Sequence, residues 1–195
     1  MKRAVIGLTG GIASGKTTVA NMLEEFGYYV LDSDKIAHQA MHDSKIKKQI
    51  DETFGDIAFD SKGEVDRKFL GSVVFKDPIQ LAKLNSIIHP YVYHHLEHMI
   101  ASRHNAIVFV DVPLLFEAKF TTLTDKNIVV YAPKEIQIQR LMDRNDFTEE
   151  QALERIEAQM PIDEKRDLAD FVVDNSGRLM DTRKQLLHML PHIAE

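Results

Sequence analysis

Five short apolar runs, separated by segments of helical periodicity, organise this chain. Ala4-Val5-Ile6-Gly7-Leu8 is continuously apolar and stops at Thr9-Gly10-Gly11, the pattern of a buried strand. From Lys16 to Phe26 the apolar positions Val19, Ala20, Leu23 and Phe26 recur at helical spacing, and Gly27 ends the helix. Tyr28 to Leu31 predicts a second strand that runs into Asp32-Ser33-Asp34, and Lys35 to about Thr53 reads as one helical stretch. Ala106 to Val112, closed by Pro113, is the strongest strand. Asn127 to Tyr131, closed by Pro133, is the fourth, and Phe171 to Val173, ending at Asp174-Asn175, is the fifth.

Apolar strands alternating with helices predict an α/β fold, a five-stranded parallel sheet with helices on both faces. Ligands of such sheets bind at the carboxyl ends of the strands. The polar clusters at Gly10, Asp32, Asp111 and Asp174 all fall at such ends, and the second strand is expected beside the first. Two segments interrupt the alternation. About seventy mostly helical residues, 35–105, exceed any ordinary crossover and predict an inserted helical subdomain. The charged helical stretch 134–169 carries Arg140, Arg144, Arg155, Lys165 and Arg166. The core is then 1–34, 106–133 and 170–195.

Composition narrows the function classes. A net charge of −6 argues against a nucleic-acid binder, which would show a basic face. With no cysteine, disulfides and thiolate metal sites are excluded, in keeping with a reducing cytoplasm. Met1-Lys2-Arg3 precedes an apolar run too short for a leader, and no stretch approaches the ~20 apolar residues of a membrane span. A soluble, cytoplasmic protein is expected, monomeric or weakly homo-oligomeric.

The chemistry enters at Gly10-Gly11-Ile12-Ala13-Ser14-Gly15-Lys16-Thr17, which matches G-x-x-x-x-G-K-[ST] between a predicted strand and a predicted helix. Glycines let the backbone turn its N–H groups onto phosphate oxygens, and the helix N-terminus adds partial positive charge. Lys16 supplies a point charge to the β- and γ-phosphates of ATP, and the Thr17 hydroxyl can ligate Mg²⁺. The predicted architecture is therefore a three-layer P-loop NTPase fold with a helical insertion and a helical lid.

Three further features bear on the reaction. Asp34, past the second strand, is either the base that takes a proton from an acceptor hydroxyl or the N-cap of the helix beginning at Lys35. Asp111 ends the run Ile107-Val108-Phe109-Val110, a Walker B pattern suited to holding Mg²⁺. Arg140 and Arg144 share a helix face, and their guanidinium forks suit a transferring phosphoryl group. His94-His95-Leu96-Glu97-His98 has the form H-x-x-E-H of a zinc site but reads better as a solvated helix. Phe54, Phe69, Phe75 and Tyr91 either line a substrate groove or, as is expected for most of them, form the core of the helical insertion.

Together these blocks resemble the dephospho-coenzyme A kinases over essentially the whole chain. The resemblance rests on Leu8 to Thr17, with Thr18 after it, and on Val30-Leu31-Asp32-Ser33-Asp34 and Leu84-Asn85-Ser86-Ile87-Ile88-His89-Pro90. Asp111-Val112-Pro113-Leu114-Leu115-Phe116-Glu117, Arg140-Leu141-Met142 with Arg144, Ala158-Gln159-Met160-Pro161 and Asp174-Asn175-Ser176-Gly177 complete it. It implies phosphorylation by ATP of the 3′-hydroxyl of dephospho-coenzyme A, the last step of coenzyme A biosynthesis. It implies Asp34 as base, Lys16 and Arg140 on the phosphates, and Asn175 near the adenine. Arg67, His89, Pro90 and Leu115 would serve the acceptor. Ala13 stands where the family often has a third glycine, and Arg144-Asn145-Asp146 interrupts the usual Arg-Asp pair. The competing readings are a kinase for another small acceptor, such as a nucleoside monophosphate or shikimate, and a nucleotide-dependent switch needing no acceptor.

Overall fold

A computed structural model describes residues 4–74, 77–104 and 106–194; Phe75, expected in the insertion's core, lies outside them. The sheet has the order β2-β3-β1-β4-β5. Its strands are β1 (Ala4–Gly10), β2 (Tyr29–Asp32), β3 (Ile107–Asp111), β4 (Lys126–Tyr131) and β5 (Phe171–Asp174). β1 pairs in parallel with β3 and β4, and β4 with β5. Gly10, Asp32, Asp111 and Asp174 are each the last residue of their strand. β1 is buried at every position, as a strand covered on both faces must be.

One expectation needs correction: β3, not β2, lies beside β1. Burial explains the order. Val108 to Asp111 of β3 are all buried, whereas Tyr29 at the start of β2 is 56% exposed. The more apolar strand takes the centre, and the amphipathic one tolerates the edge. The consequence is that Asp111, rather than Asp32, terminates the strand next to the glycine-rich loop.

The sheet unit comprises residues 1–31 and 100–195. Its helices are α1 (Lys16–Glu25), α6 (Lys134–Asn145), α7 (Glu149–Glu157), α8 (Ile162–Asp167) and α9 (Leu179–Met189). One face of the sheet presents Ile6, Leu8, Phe109, Ile128 and Val130, packed with Val19 and Leu23 of α1 and Leu186 of α9. The spacing of Val19 and Leu23 puts both on one side of α1. That helix ends as expected: Gly27 adopts φ 87°, a left-handed conformation that closes helices without a Cβ penalty.

The second unit is residues 32–99. Its helices are α2 (Ser33–Ala40), α3 (Ser44–Phe54), α4 (Arg67–Val74) and α5 (Pro78–Ala101). The single helix expected from Lys35 to Thr53 is in fact two. Asp43 breaks it, because its carboxylate accepts from the Lys45 and Ile46 N–H groups and caps α3. In α5, Leu84, Ile88, Val92 and Leu96 form a buried stripe at intervals of four residues. Pro90 interrupts the backbone ladder of that helix without ending it. Phe54, Phe69 and Tyr91 are only partly buried. Among the described residues, no helix is long and apolar enough to cross a membrane.

Candidate active site

Between β1 and α1 the chain makes the tight loop the motif requires. The Ser14 N–H donates to the Gly11 carbonyl at 3.1 Å, and Ala13 and Gly15 both take positive φ, 59° and 93°. Gly15 is the N-cap of α1 and brings no side chain to it, so the first N–H groups of that helix remain for an anionic ligand. A Cβ at Gly15 would collide with the Asn175 amide nitrogen. Glycine is thus required there twice over, by φ and by the approach of Asn175. Ala13 holds its left-handed conformation at a cost of about 1 kcal/mol.

A loop that turns its N–H groups inward turns its carbonyls outward, and those need donors. Arg140, from α6, donates through Nη1 to the carbonyls of Ala13 (3.3 Å) and Ser14 (3.2 Å), and through Nη2 to that of Asn175 (2.6 Å). Asn175 Nδ2 donates to the Ser14 carbonyl at 2.8 Å. Thr182 orients that amide by donating its hydroxyl to Asn175 Oδ1 at 2.9 Å. Gln159 Oε1, past the end of α7, accepts the Ile12 N–H at 3.2 Å. Gln137 is buried with Nε2 on the Ala132 carbonyl at 2.7 Å, and a Cβ at Gly11 would come within 2.7 Å of its Oε1. Ile12 and Ala13 pack on the small apolar cluster of Leu141, Ala152 and Ile156. The stretch read as a lid therefore braces the outer side of the loop in this structure.

On the inner side, Lys16 forms an ion pair with Asp111, both largely buried. The register that sets Leu8 opposite Asp111 brings them together. Ser14 Oγ is buried with no hydrogen-bond partner among the described residues. Thr17 is exposed at the start of α1, and Thr18 is half-buried one residue on. Arg144 is exposed and donates from Nε to Asn145 Oδ1 at 2.9 Å, so the structure does not bring it to the loop with Arg140. Leu115 is fully buried, and its Cδ2 lies 2.7 Å from where a Cβ on Gly7 would sit.

In the helical unit, the N-cap of α2 is Asp32, not Asp34. Asp32 Oδ1 accepts from the N–H of Asp34 at 2.9 Å and of Lys35 at 3.1 Å. Asp34 is exposed in the first turn, outside the capping role. Arg67 is exposed at the start of α4, where Asp66 Oδ1 accepts from the Phe69 N–H. His89 is half-buried, and desolvation holds its imidazole below the usual histidine pKa. His94 lies 3.6 Å from Glu97, while His95 stacks on Tyr91. Among the described residues, no three such side chains converge as a metal site.

Sequence reasoning missed Gln137, Gln159 and Thr182. Gln159 lay inside a recognised block, but nothing local to it indicated that it would meet Ile12, 147 positions away.

A parallel sheet of this order, with a glycine-rich loop feeding a helix and an aspartate at the end of the neighbouring strand, defines a P-loop nucleotide-binding fold. A family model for dephospho-CoA kinase matches residues 4–181. A dephospho-CoA kinase of Carboxydothermus hydrogenoformans is 46% identical over 191 residues, covering 95% of this chain and 92% of that one. The structure of dephospho-CoA kinase from Campylobacter jejuni superposes with a TM-score of 0.73 at 30% identity, covering 98% of both chains. Shikimate kinase from Aquifex aeolicus, at 17% identity and a TM-score of 0.52 over 96% of each chain, shares the fold alone. The chain belongs to the dephospho-CoA kinase family.

Proposed function

We propose how this chain carries out the reaction of its family. It phosphorylates dephospho-coenzyme A with ATP, the last step of coenzyme A biosynthesis. The γ-phosphoryl goes to the ribose 3′-hydroxyl. The loop from Gly10 to Thr18 binds the phosphates through the N–H groups that Gln159 and the loop's own carbonyls leave open. Lys16 neutralises the charge that spreads over the transferring group, and Arg140 joins it on leaving the loop carbonyls. Asn175 supports the loop on the adenine side, and Arg144, apart from the loop in this structure, must leave Asn145 to reach the nucleotide from α6. Asp34 accepts the proton of the attacking hydroxyl and orients its oxygen. Arg67, His89 and Pro90 hold the acceptor, with Leu115 acting through the backbone of its loop. On this reading residues 35–105 form the acceptor-binding insertion and 134–169 the lid. The observation that carries it is the loop itself: its carbonyls are taken by Arg140 and Asn175 while the N-terminus of α1 is left uncapped.

The hydroxyl of Thr17 and the carboxylate of Asp111 are hard oxygen donors of the kind Mg²⁺ takes together with substrate phosphates. Bound there, the ion would offset charge on the β- and γ-phosphates. For Asp111 to serve it, Lys16 must move from that carboxylate to the phosphates. The reading includes a cytoplasmic location, no nucleic-acid or membrane partner, and a monomer or weak homo-oligomer.

The test is ADP release with and without dephospho-coenzyme A, for the wild type and Asp34→Asn. Acceptor-dependent turnover that largely disappears in the variant, with ATP still bound, is the expected result. Hydrolysis independent of the acceptor would sink the kinase assignment, and turnover with a different acceptor alone would sink the substrate.

A further inference from the structure

Behind the glycine-rich loop lies an ion pair that the reaction above does not use. The Lys165 side chain is fully buried, and its ammonium lies 2.9 Å from Glu117 Oε1 and 2.9 Å from the Pro113 carbonyl. Glu117 Oε1 also accepts the Met160 N–H at 3.2 Å, while Oε2 is buried with no hydrogen-bond partner among the described residues. Taking a fully buried ammonium and a carboxylate whose side chain is only 23% exposed out of water is costly unless their geometry is held, and here one oxygen carries both contacts. Such a pair adds little to stability, so its use is to be sought in what it positions.

Its contacts lead to the site along two routes. Met160 is the neighbour of Gln159, whose side chain accepts the Ile12 N–H of the loop. Pro113 is two residues past Asp111, and its carbonyl also accepts the Thr9 hydroxyl at 3.0 Å, one residue before the loop begins. One largely buried pair thus ties down both the outer brace of the phosphate loop and the backbone that carries the partner of Lys16. We propose that Glu117 and Lys165 are positioning residues for ATP: through Gln159 and Pro113 they hold the glycine-rich loop and Asp111 in the arrangement that receives the phosphates. This rests on the kinase reading but concerns only the donor side.

Three proteins test it: Gln159→Ala, the pair replacement Glu117→Leu with Lys165→Met, and all three changes together. An apolar replacement of a buried ion pair commonly keeps the fold, while here it deprives Met160 of its acceptor. ATP affinity is measured by calorimetry without acceptor, then KM for each substrate, with melting temperature as the control for folding. The expected result is a rise of about tenfold in the ATP dissociation constant for Gln159→Ala and for the pair replacement. The triple protein should be no worse than the pair replacement, because the Gln159 route is already broken once Met160 loses its acceptor. KM for dephospho-coenzyme A should stay within about twofold of the wild type, as the P-loop does not bind the acceptor. ATP binding within twofold of wild type in Gln159→Ala overturns the proposal, as does multiplication of the two effects in the triple protein. Should the pair replacement not melt cooperatively, Glu117→Met with Lys165→Gln replaces it under the same criteria, since it too removes the acceptor of the Met160 N–H while keeping a donor for the Pro113 carbonyl. Failure of the kinase reading would show separately, as wild-type protein without acceptor-dependent ADP release.

Discussion

The two units of this protein differ in how far their side-chain to backbone bonds reach along the chain. In the helical unit, side-chain to backbone bonds are local. Asp43 and Asp66 cap α3 and α4, Asp77 caps the start of α5, and Asp60 holds the Lys62 and Glu64 N–H groups. The sheet unit has local bonds too, such as the Thr148 cap of α7, but adds bonds between distant positions. Asn175 meets Ser14, Arg140 meets Ala13, and Gln159 meets Ile12, across 161, 127 and 147 positions. Local bonds shape a helix end whatever surrounds it, whereas the distant ones exist only once the sheet has formed. The phosphate loop is thus a product of the tertiary fold, although its motif is the most recognisable stretch of the sequence.

The largest effect would break the comparison. If chemistry resided wholly in the sheet unit, Asp34→Asn in α2 would be silent. The expected outcome is instead a fall of about 10²–10⁴-fold in acceptor-dependent kcat, with ATP affinity unchanged by calorimetry. Next comes Arg140→Ala, which leaves three carbonyls without this donor. It should weaken ATP binding by about ten- to a hundredfold, corresponding to roughly 1–3 kcal/mol. Arg140→Lys should recover little, since one ammonium cannot reproduce the fork.

Smaller effects sharpen the contrast. Asp43→Ala removes a local cap and should cost about 1 kcal/mol by denaturant unfolding, leaving the ATP dissociation constant unchanged. A change in nucleotide affinity there would mean that the helical unit's local bonds are not local in their consequences. Smallest is Ala13→Gly. Relief of the left-handed strain, about 1 kcal/mol, is partly offset by added entropy of the unfolded chain, so melting temperature should rise slightly or stay level. A marked loss of stability would show that the Ala13 methyl's packing in the cluster around Leu141 outweighs its backbone strain.

Much of the molecule was legible because its signals are short-range. The five strands appear within two residues of their apolar runs, and α1 ends at the glycine expected to end it. The break between α2 and α3 was also written locally, in Asp43-Ser44, but a continuing helical periodicity masks a cap of this kind. The position of β3 between β2 and β1 was not legible. Strand order depends on comparing how deeply each strand can be buried, which no single window contains.

By itself, then, the sequence determined the periodic elements, the glycine-rich loop and the carboxylates at strand ends, since φ preferences and hydrophobic spacing act within a few residues. Only the tertiary structure decided that Asp111 pairs with Lys16, that Arg140 and Asn175 carry the loop's carbonyls, and that Gln159 meets Ile12. Those partners lie some ninety to a hundred and sixty positions apart. Their meeting depends on strand order and packing, which are settled by the burial of the whole sheet.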